Sequence, residues 1–393
     1  MIYLDNNATT KIDEKVLEEM LPFLKEEYAN ASSMYEFARK PSEALKTARV
    51  QVADFMGAKN EKDVYFTSCG SESANMAIKG VVGCNKDKRH LITTKIEHPC
   101  VLNTYKVLES QGYQVDYIGV DSQGELVLEE LKEKIRKDTA LVSVMWANNE
   151  TGVINPVEEI SEIVKKISPD TKIFVDGVQA AGKIPMDIKN TQIDLLGISG
   201  HKLHAPKGIG ALYVKPGTRL VPLIDGGHQE KGLRAGTENV PYIVGLGKAC
   251  ELAQNALDYE LKEVKRLRDK LERGILDNVF NARLNSTSLK RVPNTTNIGF
   301  QYVEGELILL HLSDLGICAS SGSACTSGSL EPSHVLRAMG VPFTALHGSI
   351  RFSLSRFTTE DEIDYVIQKL PSVMDKLTKL STYQKELESL KNK

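Results

Sequence analysis

The feature that most constrains this chain is an alternation, between about residues 60 and 215, of short apolar runs with amphipathic stretches. The runs are Val64–Thr67, Leu91–Thr94, Val115–Ile118, Leu141–Met145, Ile173–Val175, Leu195–Ile198 and Ala211–Val214. Between two of them, Ile160, Ile163, Val164 and Ile167 keep the i, i+3, i+4, i+7 spacing of one helix face. Strands that alternate with helices pair through crossovers, which predicts a mainly parallel sheet covered by helices on both faces. The expected fold class is α/β.

From about Val240 the pattern becomes a long helix, with Leu257, Leu261, Val264 and Leu271 among its apolar positions. Beyond it, strands near Thr295–Gly299 and Ser349–Ser353 alternate with helices near Glu304–Leu315 and Glu360–Leu380. A length of 393 residues suggests two domains. The expected division is a large domain over residues 13–257, with residues 1–12 and 258–393 forming a smaller α/β domain.

Charge narrows the partners. With 49 Lys plus Arg against 52 Asp plus Glu and no basic block, nothing draws the chain to nucleic acid or an anionic membrane. Asp5 falls where an export signal needs an apolar run, and no stretch reaches the length of a membrane span. Six scattered cysteines without a Cys-x-x-Cys pair argue against a zinc site or a disulfide framework, and for a reducing, cytoplasmic setting.

Parallel α/β sheets bind ligands at the carboxyl ends of their strands. Three such ends carry unusual chemistry: Asp176 after Ile173-Phe174-Val175, Ser199-Gly200-His201-Lys202 after Leu195–Ile198, and Gly70-Ser71 after Val64–Thr67. Taken singly each has an ordinary reading, as a turn or cap residue, a surface lysine and a helix cap. Together they supply what a pyridoxal-phosphate site needs. Lys202 would be the Schiff-base amine and Asp176 the acid on the pyridinium nitrogen. Backbone N–H groups at Gly70 and Ser71 would cradle the phosphate at a helix N-terminus, with Ser199 and His201 as added donors. Gln179 would hydrogen-bond the ring oxygen.

At these residues the chain resembles the NifS/IscS-type cysteine desulfurases, pyridoxal-phosphate enzymes of fold type I in the class V aminotransferase family. The likeness runs over nearly the whole length. It rests on Asp5-Asn6-Asn7-Ala8-Thr9-Thr10, Glu97-His98-Pro99, Asn148-Asn149-Glu150-Thr151-Gly152 and Ser199-Gly200-His201-Lys202. It continues through Arg234-Ala235-Gly236-Thr237, Ser321-Gly322-Ser323-Ala324-Cys325 and Ile350-Arg351-Phe352-Ser353-Leu354. The resemblance implies that His98 stacks on the cofactor ring and acts as acid/base near the substrate thiol. It implies that Asn149 and Arg351 hold the substrate carboxylate, and that Thr237 reaches the phosphate of a neighbouring subunit in a homodimer.

Cys325 sits in a Gly/Ser-rich stretch that has little to bury, so a mobile loop and a reactive thiol are expected there. The remaining cysteines lie in apolar or helical contexts and read as structural. The implied reaction removes sulfur from L-cysteine: Lys202 takes the Cα proton, and the Cys325 thiolate attacks the substrate sulfur to leave a persulfide and L-alanine. The Ser321–Cys325 sequence resembles the family's long-loop group, which delivers sulfur to iron–sulfur scaffolds and tRNA-thiolation proteins. By analogy, Cys325 could help ligate a cluster on a docked scaffold, and no other metal site is expected. The chain departs from the usual pattern at Ala31, Tyr35 and Ala38, and at Gly177, where loss of an alanine predicts looser packing on the ring. An aminotransferase on the same scaffold would not need Cys325, and a non-catalytic relative would be colourless.

Overall fold

A computed structural model describes residues 1–321 and 332–391. Its strands are β1 (Ile2–Tyr3), β2 (Val64–Thr67), β3 (His90–Thr94), β4 (Gln114–Ile118), β5 (Thr139–Met145), β6 (Lys172–Asp176), β7 (Leu195–Ser199) and β8 (Gly210–Val214). They continue as β9 (Ala282–Leu284), β10 (Thr295–Phe300), β11 (Ile317–Cys318), β12 (Ser320–Ser321) and β13 (Ser349–Ser353). Seven of them form the main sheet in the order β2-β8-β7-β6-β5-β3-β4. Only β8 runs against its neighbours, so β2 through β7 all point the same way.

The predicted runs fall on these strands because strands covered on both faces are apolar without interruption. In β5 every residue from Thr139 to Met145 is buried. Burying Leu141, Val142, Val144 and Met145 contributes roughly 1.5–3 kcal/mol each. A register slip would put each side chain into a space packed for its neighbour, so the height at which each strand ends is fixed.

Helices α1 (Glu14–Lys25) and α2 (Arg39–Met56) pack on helix α7 (Val240–Tyr259). Helix α3 (Gly70–Cys84) lies across β5 to β8, and α4 (Pro99–Ser110) packs beside it. Helices α5 (Leu128–Lys134) and α6 (Val157–Ile167) cover the opposite face with α2. The stripe predicted from Ile160 to Ile167 falls on α6, with Ile160 and Val164 buried.

A π-helical turn, Glu260–Val264, joins the helix that ends at Tyr259 to α8 (Lys265–Asn278), where the sequence suggested one unbroken helix. A second sheet, β12-β13-β10-β9, is backed by α8 and by helices α9 (Gly305–Asp314) and α12 (Glu360–Leu380). Between those two lie α10 (His334–Ala338) and α11 (Phe343–Leu346), and α13 (Gln384–Lys391) follows. Leu4 packs into this second core, and β1 pairs with β11, so the first residues travel with the later part of the chain. No helix among the described residues is long and apolar enough to cross a membrane.

Two strand ends are clamped by a buried acid. The Glu97 carboxyl accepts from the Thr94 hydroxyl (2.7 Å) and the Met145 N–H (2.8 Å), tying the end of β3 to the end of β5. Complete burial pushes Glu97 up to about 8, so the folded protein holds it protonated at neutral pH. A raised folded value stabilises fully below the ordinary carboxyl range and is lost as pH climbs through about 8. Glu97→Gln keeps the accepting oxygen without the titration. Its melting temperature should therefore gain on wild type steadily between about pH 5 and pH 8. A gap between the two proteins that stays constant with pH, measured by calorimetry, would remove this role.

Candidate active site

The carboxyl ends of β2, β3, β5, β6 and β7 surround one cavity of about 270 Å³. Asp176, the last residue of β6, points into it and is only 7% exposed. One carboxylate oxygen accepts from the Val178 N–H (3.0 Å), and no described residue hydrogen-bonds the other. Burial pushes Asp176 up, and the nearby His98 and Lys202 only partly offset this. A buried carboxylate in that position is stabilised by any cation brought into the cavity.

Lys202 closes the turn Gly200–Lys202 that follows β7. Its Nζ donates to the carbonyls of Asn7 (2.5 Å) and Ala8 (2.6 Å), so the N-terminal segment folds back over the lysine. His98 caps α4: its Nδ1 accepts from the Cys100 N–H (3.2 Å). An N–H can only donate, so Nδ1 is bare and the neutral ring carries its proton on Nε2. Burial lowers the His98 pKa and keeps the ring neutral.

Opposite these groups, Gly70 and Ser71 open α3 and line the cavity. A Cβ on Gly70 would stand 2.9 Å from the Val178 side chain and 3.4 Å from that of Ser199, so only glycine allows this close approach. Glu72 lies in the same first turn but does not oppose an anion. It pairs with Arg234 (2.8 Å) and accepts from the Ser68 N–H (2.8 Å), and these contacts hold it below the usual carboxylate range although burial works against them. Ser199 and His201 complete this wall. Burial, followed by the charge of Lys202, lowers His201 to about 4, leaving a neutral ring.

Gln179 lines the cavity beside Lys202, while Asn149 and Arg351 form its far wall. Arg351 is buried on β13; it reaches Asp5 (2.7 Å) and the Asn149 carbonyl (3.0 Å), and its Nε has no partner among the described residues. Thr237 is exposed and does not line this cavity. Cys325 and the loop expected around it lie outside the described residues.

Several lining residues escaped the sequence reading. Asn7 and Ala8 had no local signal, since Lys202 lies 195 and 194 residues away from them. Val178, in the turn after β6, lines the cavity as well. The loose ring packing expected from Gly177 is misplaced. A Cβ there would meet Leu196 at 2.7 Å and Met186 at 3.3 Å, on the core side of the sheet. Two cysteines read as structural, Cys69 and Cys100, also line the cavity. Burial pushes the Cys100 thiol far above its ordinary range, so it stays protonated and unreactive.

An uncompensated buried acid, a lysine at the next strand end and a glycine-floored helix N-terminus fit pyridoxal phosphate at its ring nitrogen, aldehyde carbon and phosphate respectively. Fold and cavity together define a pyridoxal-phosphate-dependent enzyme of fold type I. The chain belongs to the class-V aminotransferase family, whose profile matches residues 2–366. It is 56% identical over 387 residues to a cysteine desulfurase of Nostoc sp., covering 98% of this chain and 96% of that one. It is 50% identical to the cysteine desulfurase NifS of Azotobacter vinelandii, covering 97% and 94%. A solved NifS-like protein superposes with a TM-score of 0.91 at 41% identity, covering 96% of this chain and all of the other.

Proposed function

We propose that the protein is a cysteine desulfurase that takes sulfur from L-cysteine, releases L-alanine and holds the sulfur as a persulfide on Cys325. The observation that carries this reading is the pairing of Lys202 with the uncompensated Asp176 at adjacent strand ends, in a chain so similar to named desulfurases. Bound pyridoxal phosphate supplies a sink for the electron pair left at the substrate Cα. Asp176 keeps the proton on the ring nitrogen that makes the sink effective. Gly70, Ser71, Ser199 and His201 hold the phosphate, and Gln179 donates to the ring oxygen.

Arg351 and Asn149 bind the substrate carboxylate. Arg351 lines the cavity, and its planar guanidinium suits bidentate contact with a carboxylate. Lys202, once displaced by the substrate amine, takes the Cα proton on Nζ, and the Asn7 and Ala8 carbonyls hold the resulting ammonium in reach. His98, with its proton on Nε2, serves as the acid on the sulfur side of the substrate. The Cys325 thiolate attacks the substrate Sγ; an S–S bond forms as the Cβ–S bond breaks, and the electron pair passes to Cβ. Protonation of Cβ, with return of the Lys202 proton to Cα, yields L-alanine.

Thr237, exposed and off this chain's cavity, suits a reach toward the phosphate in a second copy, so the working unit is a homodimer. The sulfur passes from Cys325 to an acceptor such as an iron–sulfur scaffold or a tRNA-thiolation protein. Incubating purified protein with L-cysteine, then trapping and mapping persulfides, tests the reading. One persulfide per active site is expected, on Cys325, with L-alanine formed in equal amount. Label on Cys69 or Cys100 instead would overturn the assignment.

A further inference from the structure

Gln179 is held from both ends by partners that can each play only one part. Its Oε1 accepts from Lys183 Nζ (3.0 Å), and its Nε2 donates to the Asn7 carbonyl (3.0 Å). A lysine amine bonded to an amide oxygen is the donor, and a peptide carbonyl only accepts, so the amide has a single orientation. Its NH2 group stands on the Asn7 side with a second N–H to spare. The same Asn7 carbonyl receives Lys202 Nζ, so donor and lysine are gathered at one point of the cavity.

Lys183 is a surprising residue to find there. It is 6% exposed and lines a small polar cavity behind Lys202, together with Glu260, Arg356 and His204. Burial lowers its pKa to about 7, and Glu260 across the cavity only partly restores it. Glu260 opens the π-helical turn, and its Oε2 has no partner among the described residues. Turns of that kind often occur at functional sites. A buried lysine costs stability unless its hydrogen bonds serve something, and among the described residues its side chain bonds Gln179.

We propose that Lys183 is a positioning residue: by occupying the oxygen of Gln179, it fixes the amide so that N–H, and not C=O, faces the ring oxygen of bound pyridoxal phosphate. The inference rests on the reading of Gln179 as the donor to that oxygen. A donor there stabilises the oxygen as an anion and weakens its hold on the proton of the neighbouring Lys202 nitrogen. Without Lys183 only the Asn7 carbonyl holds the amide, so its oxygen loses its donor and turns inward more readily, and the Lys202 nitrogen then keeps its proton to higher pH. The positive charge of Lys183 acts in the same direction, so charge and orientation must be separated.

The readout is the visible absorption of the cofactor-loaded enzyme against pH, which reports whether the Lys202 nitrogen bound to the cofactor carries a proton. Asp176, His98, His201 and Arg351 around that nitrogen, and Glu260, Arg356 and His204 around Lys183, are common to all the proteins compared. Lys183→Met should raise the midpoint by roughly one unit, and Gln179→Met by a similar amount. Adding Lys183→Met to Gln179→Met should produce a clearly smaller shift than Lys183→Met alone, the remainder being the lost charge. Lys183→Gln, which keeps an N–H donor without the charge, should shift the midpoint clearly less than Lys183→Met, and it serves as the second variant if the methionine protein fails to fold. A Lys183→Met shift that persists in full beside Gln179→Met, or a Lys183→Gln shift as large as that of Lys183→Met, would reduce Lys183 to a plain charge and overturn the proposal. No shift in Gln179→Met would instead remove the reading of Gln179 on which it rests.

Discussion

Lys202→Ala protein is expected to bind pyridoxal phosphate without a covalent bond and to desulfurate cysteine about 10⁴-fold more slowly. The cavity keeps its other holds on the cofactor, since Asp176, the Gly70–Ser71 helix start and Ser199 belong to different strand ends. What disappears is the amine that the structure places against the Asn7 and Ala8 carbonyls, and with it the base for the Cα proton. The N-terminal segment should stay in place through its remaining contacts, among them Thr10 to the His201 carbonyl and Asn6 to that of Ser353. Borohydride treatment followed by peptide mapping checks the result. Wild type should carry the reduced cofactor on Lys202, and the variant should carry none. Label that moved to Lys183, the buried lysine in the adjoining cavity, would mean that the anchor had been assigned to the wrong amine.

Much of the large sheet could be read from sequence because its strands are buried on both faces. Val64–Thr67 and Leu195–Ser199 stand out as apolar runs, and the polar residues directly after them mark the binding edge. Asp176, Lys202 and Gly70 were legible for that reason. Other residues reach the cavity through contacts with no local signature. His98 arrives there as a helix cap after β3, and Arg351 comes from the middle of a strand in a different sheet. Asn7 and Ala8 come from a segment whose place is set by pairing of β1 with β11 and by bonds to Ser353. For His98 and Arg351 the resemblance to a known family supplied what periodicity could not, whereas Asn7 and Ala8 were given no role. The Gly177 error had a simpler origin. β6 ends at Asp176, and in the turn that follows Val178 lines the cavity while a Cβ on Gly177 would meet Leu196 and Met186.

The arrangement also separates the tasks of binding and stability. Glu97 and Glu150 are buried acids near the cavity, both pushed up by burial, to about 8 and about 7 respectively. Each is spent on local fastening: Glu97 joins two strand ends, and Glu150 accepts from the Ser333 hydroxyl (2.5 Å). Asp176 alone among these three keeps an oxygen that faces the cavity without a described donor. It is therefore the acid whose cost is recovered only when the cofactor is bound.

That imbalance gives Asp176→Asn opposite effects on the empty and the loaded protein. In the cofactor-free protein, burial raises the Asp176 pKa, so the folded state loses stability as pH rises through the folded value. Asparagine keeps the acceptor for the Val178 N–H and removes the charge, so the empty variant should match wild type below the ordinary carboxyl range and melt increasingly higher than it as pH rises above that range. In the loaded protein the same change replaces an acceptor for the ring N–H with an amide that can donate, and the ring nitrogen gives up its proton. Breaking a buried charged pair costs about 3–5 kcal/mol, or about 10²–10⁴-fold in rate if it is felt at the transition state. The turnover number should fall by that factor while KM for cysteine changes little, because Arg351 and Asn149 are untouched. Calorimetry of the empty proteins and steady-state kinetics of the loaded ones check the two halves separately. A variant that loses stability when empty and activity when loaded would show that Asp176 is a structural carboxylate, and the electron-sink role would go with it.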